Sequence, residues 1–200
     1  MTFASRRSGR FPLALLHLSA ALERTGAGSS RIIDGNVDRD LVEQALHALG
    51  QEHFDLVGIS VMGGPQLVPA IALSRAIRER FPDLPIAWGG YFPTLNTGAA
   101  IASPDVDYVI RGPGDETLPE LVIALRGEGG AAMERIAGLS WKNAGYIVHN
   151  PDRANPMPAD GARLPYEQLG DPRRYLARTY LGHRTVVHQA ATGCRFRCTF

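Results

Sequence analysis

The sequence predicts an α/β protein: a doubly wound parallel sheet with helices on both faces, followed by a linker and the first strand of a second, barrel-like unit. Three observations carry this. Short continuous apolar runs read as strands covered on both faces, because a strand with one wet face would alternate. Segments of helical periodicity separate these runs, and alternating strands and helices give parallel sheets. Proline and charge then dominate residues 151–183 before a fresh apolar run begins. The expected domains are therefore 1–150, 151–183 and 184–200.

Pro12 to Thr25 reads as a helix that is apolar nearly all round, with Pro12 in its first turn and Gly26 as its stop. Arg31 to Asp34 reads as a short strand, and Asp38 as the cap of a helix whose inner face is Leu41, Val42, Ala45, Leu46 and Leu49. Phe54 to Ser60 is the next strand. From Pro65 to Phe81 the positions Leu67, Ala70, Ile71, Ile77 and Phe81 share one face, while Arg75, Arg78 and Glu79 share the other, as in a helix packed on a sheet. Pro85 to Trp88 and Val106 to Ile110 are further strands.

Thr117-x-x-Glu120 has the form of a capping box, with Leu118, Leu121, Val122 and Leu125 as the inner face of the helix it opens. Gly138 to Trp141 and Tyr146 to Asn150 flank Lys142-Asn143-Ala144-Gly145, the turn of an edge hairpin. Residues 151–183 hold Pro151, Pro156, Pro158, Pro165 and Pro172, with at most short helical turns near Glu167 and Arg174. Thr185 to Ala190 is a new strand that delivers a loop from its C-terminal end, where α/β barrels place their chemistry.

With 44% hydrophobic residues, 200 residues can build one ordinary core and part of another. A net charge of +1 with both signs interspersed leaves no electrostatic footprint for nucleic acid or an anionic membrane, so neither is an expected partner. Arg6-Arg7, the stretch from Leu13 to Leu22 and Ser19-Ala20-Ala21 outline an export signal, but His17 interrupts the stretch and Glu23-Arg24 continue it as a helix. Two cysteines close together near one end cannot staple a secreted domain, so a cytoplasmic, reducing setting is expected.

In open α/β sheets ligands bind beyond the carboxyl ends of the strands. The loops there read Asp34-Gly35-Asn36, Ser60-Val61-Met62-Gly63-Gly64, Gly89-Gly90-Tyr91-Phe92-Pro93-Thr94 and Arg111-Gly112-Pro113-Gly114-Asp115-Glu116-Thr117. Their glycines either let backbone approach a large ligand or simply make tight turns. A dinucleotide fits poorly, since Asp115-Glu116 would repel phosphate. A phospho-receiver site would need an aspartate where Ser60 stands, and Ser8-Gly9-Arg10 is a weak flavin-phosphate loop. Farther on, Cys194 and Cys198 form a C-x-x-x-C pair whose thiolates can reach two corners of an iron–sulfur cube, with a third expected three positions on. Spacing alone leaves incidental thiols open.

The segments V-G-I-S-V-M, A-I-R-E-R-F-P-D-L-P-I-A-W-G-G-Y-F-P-T and P-D-V-D-Y-V-I-R-G-P-G-D-E-T-L-P-E-L, followed by the aromatic-flanked cysteine pair, resemble cobalamin-dependent radical S-adenosylmethionine (SAM) enzymes from about Pro12 to Phe200. The resemblance implies a Rossmann-like, flavodoxin-like cobalamin-binding domain ahead of a radical SAM barrel. It carries cofactor contacts to Ser60, Val61, Met62, Gly63, Gly89, Gly90, Thr94, Arg111, Gly112, Gly114 and Glu116. It likewise places Cys194 and Cys198 on a [4Fe-4S] cluster that binds SAM. Val61, Met62 and Tyr91 would pack on the corrin, with Glu116 accepting from its amides.

The implied parent cleaves SAM reductively to a 5′-deoxyadenosyl radical. It then performs methyl transfer or cyclisation on a small-molecule substrate, with electrons from a separate donor. The alternative is a non-catalytic corrinoid-binding module. Many cobalamin carriers insert a histidine under cobalt from a D-x-H-x-x-G segment before the first helix; Ser5 to Phe11 departs from this by holding no histidine, so the lower face of cobalt is expected not to be capped by one. The family's opening strand, central in a 2-1-3-4-5 order, is not found before Pro12, which predicts a gap between the Arg31–Asp34 and Phe54–Ser60 strands. Without its barrel the chain as given is expected not to turn over.

Overall fold

Alternate residues of the central strands enter two different cores, which is what a doubly wound sheet requires. Ile86 and Trp88 pack into one, and Ala87 into the other. The computed structural model describes residues 10–38, 40–127, 130–154 and 163–186. Its main sheet has β1 (Val57–Ser60), β2 (Ile86–Gly89), β3 (Tyr108–Ile110), β4 (Leu139–Asn143) and β5 (Tyr146–His149) in that order. The first three are parallel, and the β4–β5 hairpin joins antiparallel at the β3 edge.

On one face lie α1 (Leu13–Arg24) and α6 (Thr117–Arg126), which bury Leu22, Leu118, Leu121 and Val122 against Ala87, Ile110 and Trp141. On the other lie α2 (Leu41–Gln51), α3 (Leu67–Arg80) and α5 (Thr97–Ala102), around Ile77, Trp88, Ile101 and Val109. The short α4 (Tyr91–Leu95) precedes α5, and α7 (Gly130–Met133) precedes the hairpin. The predicted inner faces of α2 and α6 are the observed ones, whereas on α3 Ile71 is 39% exposed and Leu73 is buried in its place. The hairpin turn is Ala144-Gly145 with φ of +46° and +88°, the doubly positive pair that matches strand twist.

Several local expectations change. Arg31–Asp34 forms no strand among the described residues, and β1 pairs only with β2. The α2 cap position is Asp40, because Asp38 is drawn off to accept from the Asp34 amide (2.8 Å) and to pair with Arg174. The capping box does not form, since α6 already begins at Thr117. The Thr117 hydroxyl donates to the Ala137 carbonyl (3.0 Å), and Arg153 takes Glu120. The helices α4 and α5 sit where a simple loop was expected, with Pro93 in the first turn of α4.

Residues 163–186 hold the two short turns anticipated, Tyr166–Leu169 and Pro172–Tyr175, and also a hairpin of β6 (Ala177–Thr179) and β7 (Gly182–Thr185). Expectations for Cys194, Cys198 and the run to Ala190 lie outside the described residues. Among those described, no helix is long and apolar enough to cross a membrane.

Candidate functional site

The two ends of the sheet can be told apart by where the helices finish. The C-terminal ends of α2, α3 and α6 gather round one crevice lined by Leu49, His53, Asp55, Arg80, Phe81 and Leu125. Arg126 holds α1 to that same end by donating to the Ala27 carbonyl (2.5 Å) and to Asp55 (2.7 Å). The carboxyl ends of the strands, at Ser60, Gly89 and Ile110, therefore open at the opposite end, together with the starts of α1, α2 and α3.

Three loops at this open end are stitched together. The Val61 amide donates to the Gly89 carbonyl (2.8 Å) and the Phe92 amide to the Val61 carbonyl (3.0 Å), fastening the first loop to the second. The Thr94 hydroxyl donates to the Gly90 carbonyl (2.8 Å) and accepts from the Gly112 amide (3.0 Å), fastening the second to the third. The W-G-G-x-x-P-T and R-G-x-G-D-E-T segments are thus one structural unit, with Thr94 as the bridge.

The glycines separate into those the fold requires and those it does not. Gly90 sits at φ +95°, ψ −165°, a conformation reserved for glycine. A Cβ there would lie 3.1 to 3.2 Å from the Val61 carbonyl, the Ser60 hydroxyl and the Val61 amide. At Gly114 a Cβ would stand 2.9 Å from Cδ2 of Leu18, so a larger residue there would have to displace the tip of that α1 side chain. Gly63 differs: its φ is −65°, and an added Cβ would meet nothing within 4 Å. No protein contact accounts for glycine at 63, which leaves open space for a ligand to approach the backbone.

The side chains sort in the same way. Met62 (50% exposed) and Tyr91 (62%) present apolar surface at the open end, beside Leu95 (63%) and Val68 (72%). Ser60 is exposed on the rim. Val61 is completely buried in the core behind β1, so it supports the platform from below and does not face it. Arg111 turns away from the opening. Its guanidinium reaches the Leu139 carbonyl (3.3 Å), Ser140, the Asn150 carbonyl and Asp152 (3.0 Å), which ties the β4–β5 hairpin to the end of β3.

Glu116 is paired with Arg153 (2.5 Å), whose other nitrogens take Glu120 and the Thr117 hydroxyl. Arg153 and Leu18 are contributors that sequence reasoning missed. Arg153 reads as linker charge and Leu18 as one more apolar helix position, so neither carried a local signal.

This open end combines the exposed apolar side chains of Met62 and Tyr91 with glycine backbone and the exposed Ser60. Such a surface suits a flat ligand with a polar edge. No histidine lies in the loops after Ser60, Gly89 or Ile110. Among the described residues no group of three His, Cys, Asp or Glu side chains is placed to hold a metal ion.

Comparison with known proteins agrees with this arrangement. Residues 3–122 match the family model of the B12 binding domain. Over 195 residues the chain is 27% identical to an anaerobic magnesium-protoporphyrin IX monomethyl ester cyclase of a Synechocystis strain, covering 94% of this chain and 37% of that protein. Its fold superposes with a TM-score of 0.62 on the radical S-adenosylmethionine methyltransferase TsrM of Kitasatospora setae, solved with cobalamin and a [4Fe-4S] cluster bound, at 24% identity over 76% of this chain and 28% of that one. With OxsB, a cobalamin-dependent S-adenosylmethionine radical enzyme solved with aqua-cobalamin and S-adenosylmethionine, the TM-score is 0.65 at 21% identity, over 78% of this chain and 21% of that one. The chain thus spans well under half the length of each.

Proposed function

Since the chain belongs to the B12-binding domain family, we propose that its open end holds cobalamin and that it forms the N-terminal part of a cobalamin-dependent radical SAM enzyme. The observation that carries the first half is the platform itself: exposed Met62 and Tyr91 beside a glycine at position 63 that no protein contact explains. A corrin ring is broad, apolar on its faces and rimmed with amides, and the residues present fit it.

Met62 and Tyr91 lie against the ring. Gly63 and Gly112 admit its edge to the backbone, and Ser60 offers a hydroxyl to the amide rim. Gly89, Gly90, Thr94 and Gly114 act one step back by fixing loop shape, as do Val61 beneath the platform and Arg111 on the hairpin. Glu116 contributes to the rim through its pair with Arg153. None of the rim loops supplies an imidazole for the lower face of cobalt.

The second half rests on Cys194 and Cys198, whose spacing suits two ligands of a [4Fe-4S] cluster that binds SAM. Bound together, these groups supply a cobalt centre able to carry methyl groups and an electron for reductive cleavage of SAM. The reaction class is methyl transfer or cyclisation on a small molecule, with an external electron donor, in the reducing cytoplasm that free thiols favour. The second reading, a corrinoid-binding module without catalysis, is supported by the family match, which covers residues 3–122 and not the cysteine pair.

Two measurements test this. Incubation with methylcobalamin followed by desalting should leave a protein that keeps the corrin spectrum, and a colourless protein rejects the cobalamin reading. Anaerobic reconstitution of the full-length protein should load four irons per chain and cleave SAM. Cobalamin retention without either would leave the binding module standing.

A further inference from the structure

Part of the segment expected to be a linker is packed against the domain. Tyr175 is 1% exposed and Leu169 6% exposed, and both form a core with Leu16 of α1, itself fully buried, and with Ile32 and Val37. The Tyr175 ring stacks on Phe11 with centroids 4.9 Å apart, and Ser19 of α1 donates to Gln168 (3.2 Å). Arg174 pairs with Asp38, whose other oxygen accepts from the Asp34 amide at 2.8 Å. The Asp34 carboxylate in turn accepts from the amide of Asn36 at 2.9 Å and faces the Tyr175 hydroxyl.

Two of the features this segment grips sit at the open end, while Gln168 reaches Ser19 and Glu23 farther along α1. The Asp34–Asp38 turn leads into the start of α2, and Phe11 leads into the start of α1. The helix α1 also presses on the third rim loop, because Leu18 abuts Gly114. From this geometry we propose that Arg174 and Tyr175 are positioning residues for the corrin rim: residues 164–176 form a strap that fixes the Asp34–Asp38 turn directly and the Gly112–Glu116 loop through α1. The proposal rests on the cobalamin reading above and adds that the segment leading toward the cysteine pair is coupled to the ring site.

The test uses the whole chain in five forms: wild type, Arg174→Gln, Arg174→Lys, Tyr175→Phe, and Arg163→Gln as a control at an 89%-exposed side chain. Backbone hydrogen exchange in the free protein and visible titration with hydroxocobalamin are the readouts. R174Q should exchange the Asp34 and Asp38 amides at least tenfold faster and leave β1, β2 and β3 unchanged. It should weaken hydroxocobalamin binding several-fold, with R174K recovering much of both effects. Y175F should move the same amides to a smaller degree, and R163Q should move nothing.

If wild type binds the ring and R174Q binds it equally well, the strap inference is overturned and the cobalamin reading stands. The strap inference also fails if exchange rises across the sheet as a whole, or if R174K recovers nothing. If wild type takes up no hydroxocobalamin, the cobalamin reading fails and this inference with it.

Discussion

Replacing Gly90 by alanine and Gly63 by alanine separates a glycine that the protein needs from one that a ligand needs. At Gly90 the backbone conformation, φ +95° and ψ −165°, strains any L-residue, at a cost of about 1–3 kcal/mol. The new Cβ would also press on the Val61 carbonyl and amide at 3.1 and 3.2 Å. Those backbone atoms cannot shift freely, because the amide is bonded to Gly89 at 2.8 Å and the carbonyl to Phe92 at 3.0 Å. Overpacking of this kind adds roughly 1–3 kcal/mol.

The sum, about 2–6 kcal/mol, corresponds to a melting point lowered by roughly 4–24 °C for a protein of this size. At Gly63 the φ of −65° already suits alanine and no atom lies within 4 Å, so the fold should be unchanged or stabilised by up to ~1 kcal/mol. Calorimetric melting of the free proteins followed by hydroxocobalamin titration reads both effects. Gly90→Ala should melt early, whereas Gly63→Ala should melt like wild type and bind the corrin at least several-fold more weakly. A Gly63→Ala protein with wild-type affinity would refute the assignment of that position to ligand approach. A Gly90→Ala protein with wild-type melting would refute the account of the rim.

Thr94→Val removes a hydroxyl that serves both Gly90 and Gly112, and should cost about 1–3 kcal/mol while speeding exchange of the Gly112 amide selectively. Arg111→Met strands the partners of an almost buried guanidinium and should lower stability by roughly 2–4 kcal/mol in denaturant titration; lysine should not restore it, because the planar fork is what reaches the hairpin. Ala144→Gly relieves a positive φ of 46° in the hairpin turn and should raise stability by about 0.5–1 kcal/mol, read as a small rise in melting temperature. Burial, and then the charge of Asp34, push the Tyr175 hydroxyl up from 10.0 to about 12. Because folding raises this pKa, the stabilisation is complete below pH 10 and is lost as pH climbs through about 12; ultraviolet titration should show late-ionising tyrosine, to which Tyr108 also contributes because burial and then Asp107 raise it, and Tyr175→Phe should remove part of that late component.

The strands and the buried faces of the helices were legible in the sequence because both rest on short-range patterns. Continuous apolar runs marked β1, β2 and β3, and helical spacing marked the buried faces of α2 and α6. Lys142-Asn143-Ala144-Gly145 marked the hairpin by turn chemistry alone. The rim loops were legible as glycine clusters, but which glycines serve the fold was not. That distinction depends on contacts between distant parts of the chain: Gly114 against Leu18, and Gly90 against Val61.

The same reason explains the failures of local reasoning. The capping box at Thr117 yields to Arg153, and the cap at Asp38 yields to Arg174, 136 residues away. Arg31–Asp34 has strand composition but finds no ladder partner among the described residues. The docked strap was invisible because Tyr175 and Leu169 are isolated apolar positions in a stretch rich in proline and charge.

The claim on which the rest depends is that the corrin rests on the stitched loops at the carboxyl ends of β1, β2 and β3. Amide hydrogen exchange with and without saturating hydroxocobalamin tests it most directly. The account predicts new protection at residues 60–64, 89–94 and 111–116, with none at the crevice around His53 and Phe81. Protection confined to that crevice, or no protection in a protein that retains the corrin spectrum, would contradict it.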